Sequence, residues 1–281
     1  RYLSHVTPPF TAQALPCAIP VMPAGGGMTT IDPAARTPTR LVESGPAGGA
    51  TLAAKIARDL GEEAVLSFDM GGTTAKLCLI DDARPQTARR FEIARAERFL
   101  KGSGMPVRIP VIEMIEIGAG GGSLVSVDRM GRIRVGPESA GADPGPVAFG
   151  KGGDIATVTD ADVTLGYIDP DRFAEGRLSI DAPAAEAALV KGAGQALNLD
   201  GPATAFGVSD IVDEAMASAG RMHAVEAGKD LSTRTMIAFG GNGPLHATRV
   251  ARRAGVRRIV IPNDPGVGSA VGFLHAAVSF E

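Results

Sequence analysis

The stretch Phe68–Ile80, FDMGGTTAKLCLI, decides how this chain is read. An apolar strand reaches Asp69, Gly71 and Gly72 follow, then Thr73 and Thr74, and the chain turns apolar again. Two readings fit. In one, a plain hairpin joins two strands, and its Asp and Thr side chains satisfy the turn. In the other, the glycines let backbone N–H groups converge as an anion-binding nest. Thr73 and Thr74 then add hydroxyl donors, and Asp69 at the strand end suits a water-bound Mg2+. The loop alone does not choose between them.

A second loop adds weight to the nest. IAFGGNGPLHA at 237–247 repeats the arrangement: a strand, Gly240 and Gly241, a short link through Asn242 and Gly243, and a helix opening at Pro244. Proline in the first turn leaves the helix N-terminus open, so a phosphate or flat ligand can approach the backbone. A third cluster, EIGAGGGS at 116–123, invites a dinucleotide-binding reading but fails it. Ser123 stands where the fingerprint needs its last glycine. The following SLVSVDRMGRIRV alternates like a strand and hairpin, whereas a pyrophosphate site needs a helix there.

Composition sets the outer limits. The 281 residues are 44% hydrophobic and 21% charged, the balance of a globular protein with a sizeable core. A net charge of −3 argues against a nucleic-acid surface, and aromatics at 4% with no Trp leave no stacking platform. No apolar run has the length of a membrane span. Cys17 and Cys78 are too few for a disulfide framework, which points to the cytoplasm. The chain opens on Arg1 and reads as a piece of a longer protein.

Along the chain, the proline- and glycine-rich stretch 11–40 predicts short strands and turns without helix. Residues 44–61 read as a turn followed by a helix that ends at Gly61, then come strands around the opening loop and a third strand over 87–96 in a one-after-another sheet. Residues 99–170 read as a loop- and strand-rich insertion. Helices return at 181–197 and 204–228, the second with a buried face at Val208, Ile211, Val212, Ala215, Met216, Ala219 and Met222. The close is strand 234–239, helix 244–255, strand 256–262 and helix 267–278, a parallel α/β layer.

The order of these parts resembles the second half of an actin-like ATPase: an α/β, RNase H-like core carrying an insertion. More specifically, ESGPAGGA, SFDMGGTT, IEIGAGGGS, SAGADPGP, TVTDADVTLGYIDPDRF, AFGGNGPLHA and PGVGSAVGF, taken in order, are similar to the A subunit of the hydantoinase/5-oxoprolinase/acetone carboxylase family. The resemblance runs from about residue 20 to the end. It implies that residues 1–43 are an incomplete N-terminal portion and 44–281 an ATPase half of hydantoinase A type, with the insertion at about 99–170. It also implies ATP and Mg2+ as cofactors, and phosphorylation of a carbonyl oxygen of an amide, imide or ketone. Hydrolysis or carboxylation would be completed with a hydantoinase B-type partner subunit. No partner nucleic acid or membrane is implied.

The resemblance assigns Asp69, Gly71, Gly72, Thr73 and Thr74 to phosphate and metal, and Gly240, Gly241, Asn242 and Gly243 to the nucleoside. Many members carry Thr-Asp where this chain has Ala75-Lys76; Lys76 then either answers a phosphate charge or, by strand alternation, faces solvent. The first phosphate loop of such proteins, in the N-terminal half of the same subunit, has no counterpart in this sequence, so the isolated fragment is expected to be inactive. Two alternatives remain: an actin-like ATPase chaperone or reactivating factor, and a non-catalytic scaffold.

Single residues stay open on their letters alone. Glu116 is either a site carboxylate or a strand-edge acid, since a buried acid needs a partner. Asp143, before Pro144, either orients substrate or metal or forms a turn. Asp160 and Asp162 read as capping or loop-bonding acids. His246, on the first turn after the GG loop, either approaches the nucleotide or packs.

Overall fold

The computed structural model describes Leu3 and residues 18–93 and 102–278. In chain order the described helices are α1 (Ile31–Arg36), α2 (Ser44–Leu60), α3 (Val158–Thr164), α4 (Ala182–Leu189), α5 (Gln195–Leu197), α6 (Gly201–Glu226), α7 (Gly243–Ala254) and α8 (Gly268–Phe273). The longer strands are β1 (Ala64–Met70), β2 (Ala75–Asp81), β9 (Ser123–Val127), β10 (Ile133–Ser139) and β11 (Thr235–Phe239). Shorter ones are β3 (Arg84–Pro85), β4 (Thr87–Ala88), β5 (Phe91–Ile93), β6 (Met105–Val107), β7 (Val111–Ile112), β8 (Ile115–Ile117) and β12 (Arg258–Val260). The main sheet has the order β12-β11-β1-β2-β3, with β8 also paired to β2.

The chain divides into two compact units, residues 1–67, 77–115 and 262–281 in one and 68–76 with 116–261 in the other. In the first, α2 begins with glycine and alanine because another backbone lies against it. Ala47, Gly48, Ala50, Ala53 and Ala57 are buried, and α8 crosses so closely that a Cβ on Gly48 would stand 2.5 Å from the Ser269 carbonyl oxygen. A Cβ on Gly272 would overlap the Gly48 carbonyl. The helix ends as its sequence predicts: Gly61 takes φ +69°, its N–H donates to Arg58 O, and Glu62 N–H donates to Ala57 O. This is the paired bonding of a Schellman cap.

Four expectations for this unit and its edges change. Stretch 11–40 contains helix, α1 and a single 3-10 turn at Pro38–Leu41, because Pro33 and Pro38 occupy first turns, where a missing N–H costs nothing. Residues 4–17 lie outside the described structure. Among the described residues of 87–96 there are only the short strands β4 and β5; before them Asp82 and Ala83 both take positive φ, which folds β3 tightly onto β2. Beyond it β4 pairs with β7 and β5 with β6, away from the main sheet, while 94–96 are not described. Two positive-φ residues suit a tight hairpin, but Asp-Ala lacks the glycine that would have announced it. Helix α8 stops at Phe273, after which the chain turns extended and Met28 bridges Val278.

In the second unit, β11, α7 and β12 form the expected parallel crossover, with Thr235 opposite Arg258 and Ile237 opposite Val260. Helix α6 starts three residues before its expected position, since Asp200 caps it through the Ala203 N–H and Pro202 fits the first turn. Its buried face is also rotated from expectation. Ile211 is 38% exposed, whereas Ser209 and Asp213 are at most 2% exposed. The expected single helix over 181–197 is broken by a π-turn at Val190–Gly194, where a Cβ on Gly194 would press on Leu199 O at 2.7 Å. Stretch 99–170 holds strands and loops but also α3, closed by a capping box between Thr157 and Asp160.

The α2–α8 crossing carries a direct test. Replacing Gly272 with Ala is expected to destabilise by about 1–3 kcal/mol through overpacking. Gly45→Ala, whose Cβ meets nothing within 4 Å, should be neutral or slightly stabilising by helix propensity. Urea unfolding of the two variants beside the parent measures the difference, and equal midpoints would refute the close crossing.

Candidate functional site

Three glycine loops of the second unit meet at one place. The β1–β2 turn, Gly71–Thr74, lies beside the Gly118–Gly122 run, and the link Gly240–Asn242 closes on it from the β11 side. Close backbone approach explains several of the glycines. A Cβ on Gly120 would stand 2.7 Å from Gly71 O and from Thr73 N, and one on Gly121 would stand 2.8 Å from Thr159 Oγ1. Gly240, at φ +88°, would place a Cβ 2.6 Å from Asp69 Oδ1.

Hydrogen bonds fix the loops. Gly121 N–H donates to Gly71 O at 3.1 Å and Gly122 N–H to Gly72 O at 2.6 Å. Asn242 N–H donates to Met70 O at 2.9 Å, and Asn242 Nδ2 donates to Gly71 O at 3.1 Å. Gly71 O is therefore held from both sides. A trans peptide sets its C=O and following N–H on opposite sides. With the Gly71 and Gly72 carbonyls turned toward the Gly118–Gly122 run, the N–H groups of Gly72 and Thr73 point the other way. Neither donates to an acceptor among the described residues, and both residues are exposed.

Packing does not explain Gly71, Gly72 or Gly241. A Cβ on Gly72 or Gly241 would meet nothing within 4 Å, and one on Gly71 would make only an ordinary contact at 3.9 Å. The open side of the turn thus combines free backbone donors, the Thr73 hydroxyl and space that no side chain of this unit fills.

The flanking charges are arranged differently from their sequence readings. Lys76 does not face solvent: its side chain is 16% exposed, its Nζ lies 2.9 Å from Glu116 Oε1, and it donates to Thr74 Oγ1 at 2.7 Å. Glu116, half-exposed on β8, is thus paired across the strands. Asp69 is half-buried at the strand end beside Gly240. Asp143 is exposed in the loop after β10, and its side chain makes no hydrogen bond or ion pair among the described residues. Among the described residues no three His, Cys, Asp or Glu side chains gather as a metal cage. Mg2+ does not require such a cage, since it keeps several waters and is held through one or two carboxylates, and Asp69 is the carboxylate here that could hold it.

Beneath the loops lies a buried cluster that the sequence did not announce. His246 is fully buried; its Nδ1 is 2.7 Å from Asp213 Oδ1 and its Nε2 is 3.2 Å from Asp162 Oδ2. Arg249 Nε donates to Asp213 Oδ2 at 2.5 Å, Arg249 reaches the Ser209 hydroxyl at 3.1 Å, and its guanidinium stacks 4.3 Å over Tyr167. Burial alone would push the imidazole down, but the hydrogen bonds and charges of Asp162 and Asp213 more than offset it and hold His246 up at about 9. His246 therefore packs and does not face the open side of the turn.

The capping reading of the two acids holds for one only. Asp160 accepts from Thr157 N–H and its hydroxyl and from Ala148 N–H, and burial pushes its carboxyl up against those bonds. Asp162, two residues on, faces His246, with Oδ1 buried and without a donor among the described residues. Asp213 gives no local signal in the sequence, because it sits inside a helix with a good apolar period. The available signal was the buried stripe Ser209, Asp213, Met216 and Gly220, polar at two places.

Comparison with known proteins follows the same lines. The model of the hydantoinase/oxoprolinase family matches residues 1–281. An uncharacterized protein of Methanocaldococcus jannaschii is 41% identical over 259 residues, 91% of this chain and 38% of that protein. Caprolactamase subunit alpha of Pseudomonas jessenii is 30% identical over 240 residues, 85% of this chain and 33% of its own. The nucleotide-free structure of acetone carboxylase, an enzyme of ATP-dependent acetone carboxylation, superposes with a TM-score of 0.87 at 25% identity, over 98% of this chain and 37% of that one. The chain thus spans roughly a third of the length of these relatives. With the same α/β architecture over nearly its whole length, it belongs to the hydantoinase/oxoprolinase family.

Proposed function

We propose that this chain supplies one side of an ATP site in a subunit that phosphorylates the carbonyl oxygen of an amide, imide or ketone. The observation that carries the reading is the orientation of the β1–β2 turn. Its carbonyls are consumed by Gly121, Gly122 and Asn242, so the Gly72 and Thr73 N–H groups and the Thr73 hydroxyl face open space as phosphate donors. Asp69 is the carboxylate for Mg2+, which when bound supplies charge neutralisation at the phosphates. Gly240, Gly241 and Gly243 flank the nucleoside, while Asn242 also pins the phosphate turn.

Thr74 contributes through Lys76, which its hydroxyl anchors; the Lys76–Glu116 pair places a neutralised lysine at the edge of the turn. Exposed Asp143 is available to orient substrate. Phosphoryl transfer asks the protein mainly for positioning and charge neutralisation, and a rigid turn with pre-aimed donors provides both. The chain acts with the rest of its own subunit and with a B-type partner subunit that completes hydrolysis or carboxylation. Apart from them, the isolated chain turns over ATP weakly or not at all.

Two variants of the full-length subunit with its partner test this. Asp69→Asn is expected to lower phosphate release from ATP on the order of 100-fold or more; undiminished turnover would remove Asp69 from the site. Gly72→Val places its side chain in open space, so unfolding free energy should move by less than about 0.5 kcal/mol while ATP turnover collapses. A stable Gly72→Val protein with parental ATPase activity would refute the phosphate turn.

A further inference from the structure

Gly71 O is held by two donors from different elements, Gly121 N–H and Asn242 Nδ2. Each donor is anchored in turn. Thr159, in the first turn of α3, donates its N–H at 2.7 Å and its hydroxyl at 2.9 Å to Gly121 O. Asn242 is the N-cap residue of α7. One turn into each helix, the circuit closes: Asp162 on α3 meets His246 on α7 at 3.2 Å. Five links thus form a ring: Gly71, Gly121, α3, the Asp162–His246 pair, and α7 with Asn242.

We propose that His246, as an imidazolium bridging Asp162 and Asp213, is a positioning residue that sets the spacing of the two loops flanking the phosphate turn. The inference rests on the nucleotide reading above and goes beyond it by assigning a role to a buried side chain that touches no ligand. The two carboxylates impose the charge. Both ring nitrogens face carboxylate oxygens, so both must donate, and only the imidazolium has two N–H groups. The groups facing His246 are Asp162 from α3, Asp213 from α6 and Arg249 from its own helix, with Arg253 further along α7 engaged by Asp210 and Glu214.

The two contacts of the ring are not equal. Asp213 also has Arg249, whereas Asp162 has His246 as its side-chain partner and keeps Oδ1 without a donor among the described residues. Loss of a proton leaves the shorter Nδ1–Asp213 bond intact and sets the Nε2 lone pair against Asp162 Oδ2. The α3–α7 tie is therefore the one that breaks. The imidazole is held up at about 9 in the folded protein against its ordinary 6.5. Its contribution is complete below the ordinary value and is lost as pH rises through about 9.

The test uses the full-length subunit with its partner, compared as parent, Asp162→Asn and His246→Gln, at pH 7.5, 9 and 10. Asparagine at 162 can donate Nδ2–H to the neutral ring, so this variant keeps the tie without the proton. Two readouts are taken: amide hydrogen exchange in segments 118–123 and 240–246, and the Kd for MgATP by calorimetry. In the parent, the protection factors of both loops, taken against the intrinsic base-catalysed exchange rate at each pH, should fall by up to about tenfold, and ATP should bind up to about tenfold more weakly, for each pH unit above 9. Asp162→Asn should flatten both profiles, and His246→Gln should show the loosened loops already at pH 7.5. An alkaline fall in protection that persists in Asp162→Asn, or protection factors in the parent that do not change with pH, overturns the positioning role. If no protein binds ATP yet Asp162→Asn still abolishes the alkaline loosening, the nucleotide reading falls and the positioning role stands.

Discussion

The double hydrogen bond to the Gly71 carbonyl is the constraint on which the rest of the site depends. It can form only where the Gly121 backbone and the Asn242 side-chain amide both come within hydrogen-bonding distance of the turn, and side chains at Gly120, Gly121 and Gly240 would prevent that. Buried backbone groups must find partners, and here the partners are other loops and not a strand. The consequence is directional. Carbonyls that bond inward leave the N–H groups of Gly72 and Thr73 outward, on exposed residues and without an acceptor among the described residues.

The glycines of the site accordingly fall into two kinds. Gly120, Gly121, Gly122 and Gly240 are required by contact within the chain, and would be glycine in a protein with no ligand at all. Gly71, Gly72 and Gly241 are not. Where the backbone conformation is open to any residue, glycine costs roughly 0.4–1 kcal/mol relative to alanine through the entropy of the unfolded chain, and nothing in the described packing offsets it for Gly72. The space it leaves open is what a bound phosphate would use. A purely structural turn accounts for the first group and leaves the second unexplained.

What the sequence disclosed and what it withheld follow from range. The FDMGGTT and AFGGNGP loops, the small-residue helices and the closing β11-α7-β12 crossover were all legible, because each is written in adjacent residues. Asp162, Asp213 and His246 were not, because they are far apart in the chain and meet only through tertiary packing. Local rules also misled: Asp160 and Asp162 look equivalent as capping acids, yet two residues along a helix rotate the side chain by about 200°, so one caps α3 and the other enters the cluster. The rotated face of α6 has the same origin. Its buried stripe was drawn by apolar period, but the structure admits Ser209 and Asp213 and leaves Ile211 outside. The tight turn at Asp82-Ala83 was missed for want of its usual glycine.

A buried cluster of two carboxylates, an imidazole and a guanidinium is a poor way to gain stability. Desolvation of the charges cancels much of their attraction, and well-packed apolar side chains of similar volume often do as well or better. The cluster gives what apolar packing does not, a fixed register. An apolar contact between α3 and α7 tolerates sliding by a fraction of a turn with little loss, whereas the 2.7 Å and 3.2 Å bonds of His246 fail on such a shift. The loops above have no tolerance to spare, because Gly71 O must stay within reach of donors carried by both helices. A costly polar core beneath a glycine-built site is therefore consistent with a protein in which the spacing of loops matters more than the stability of the helices that carry them.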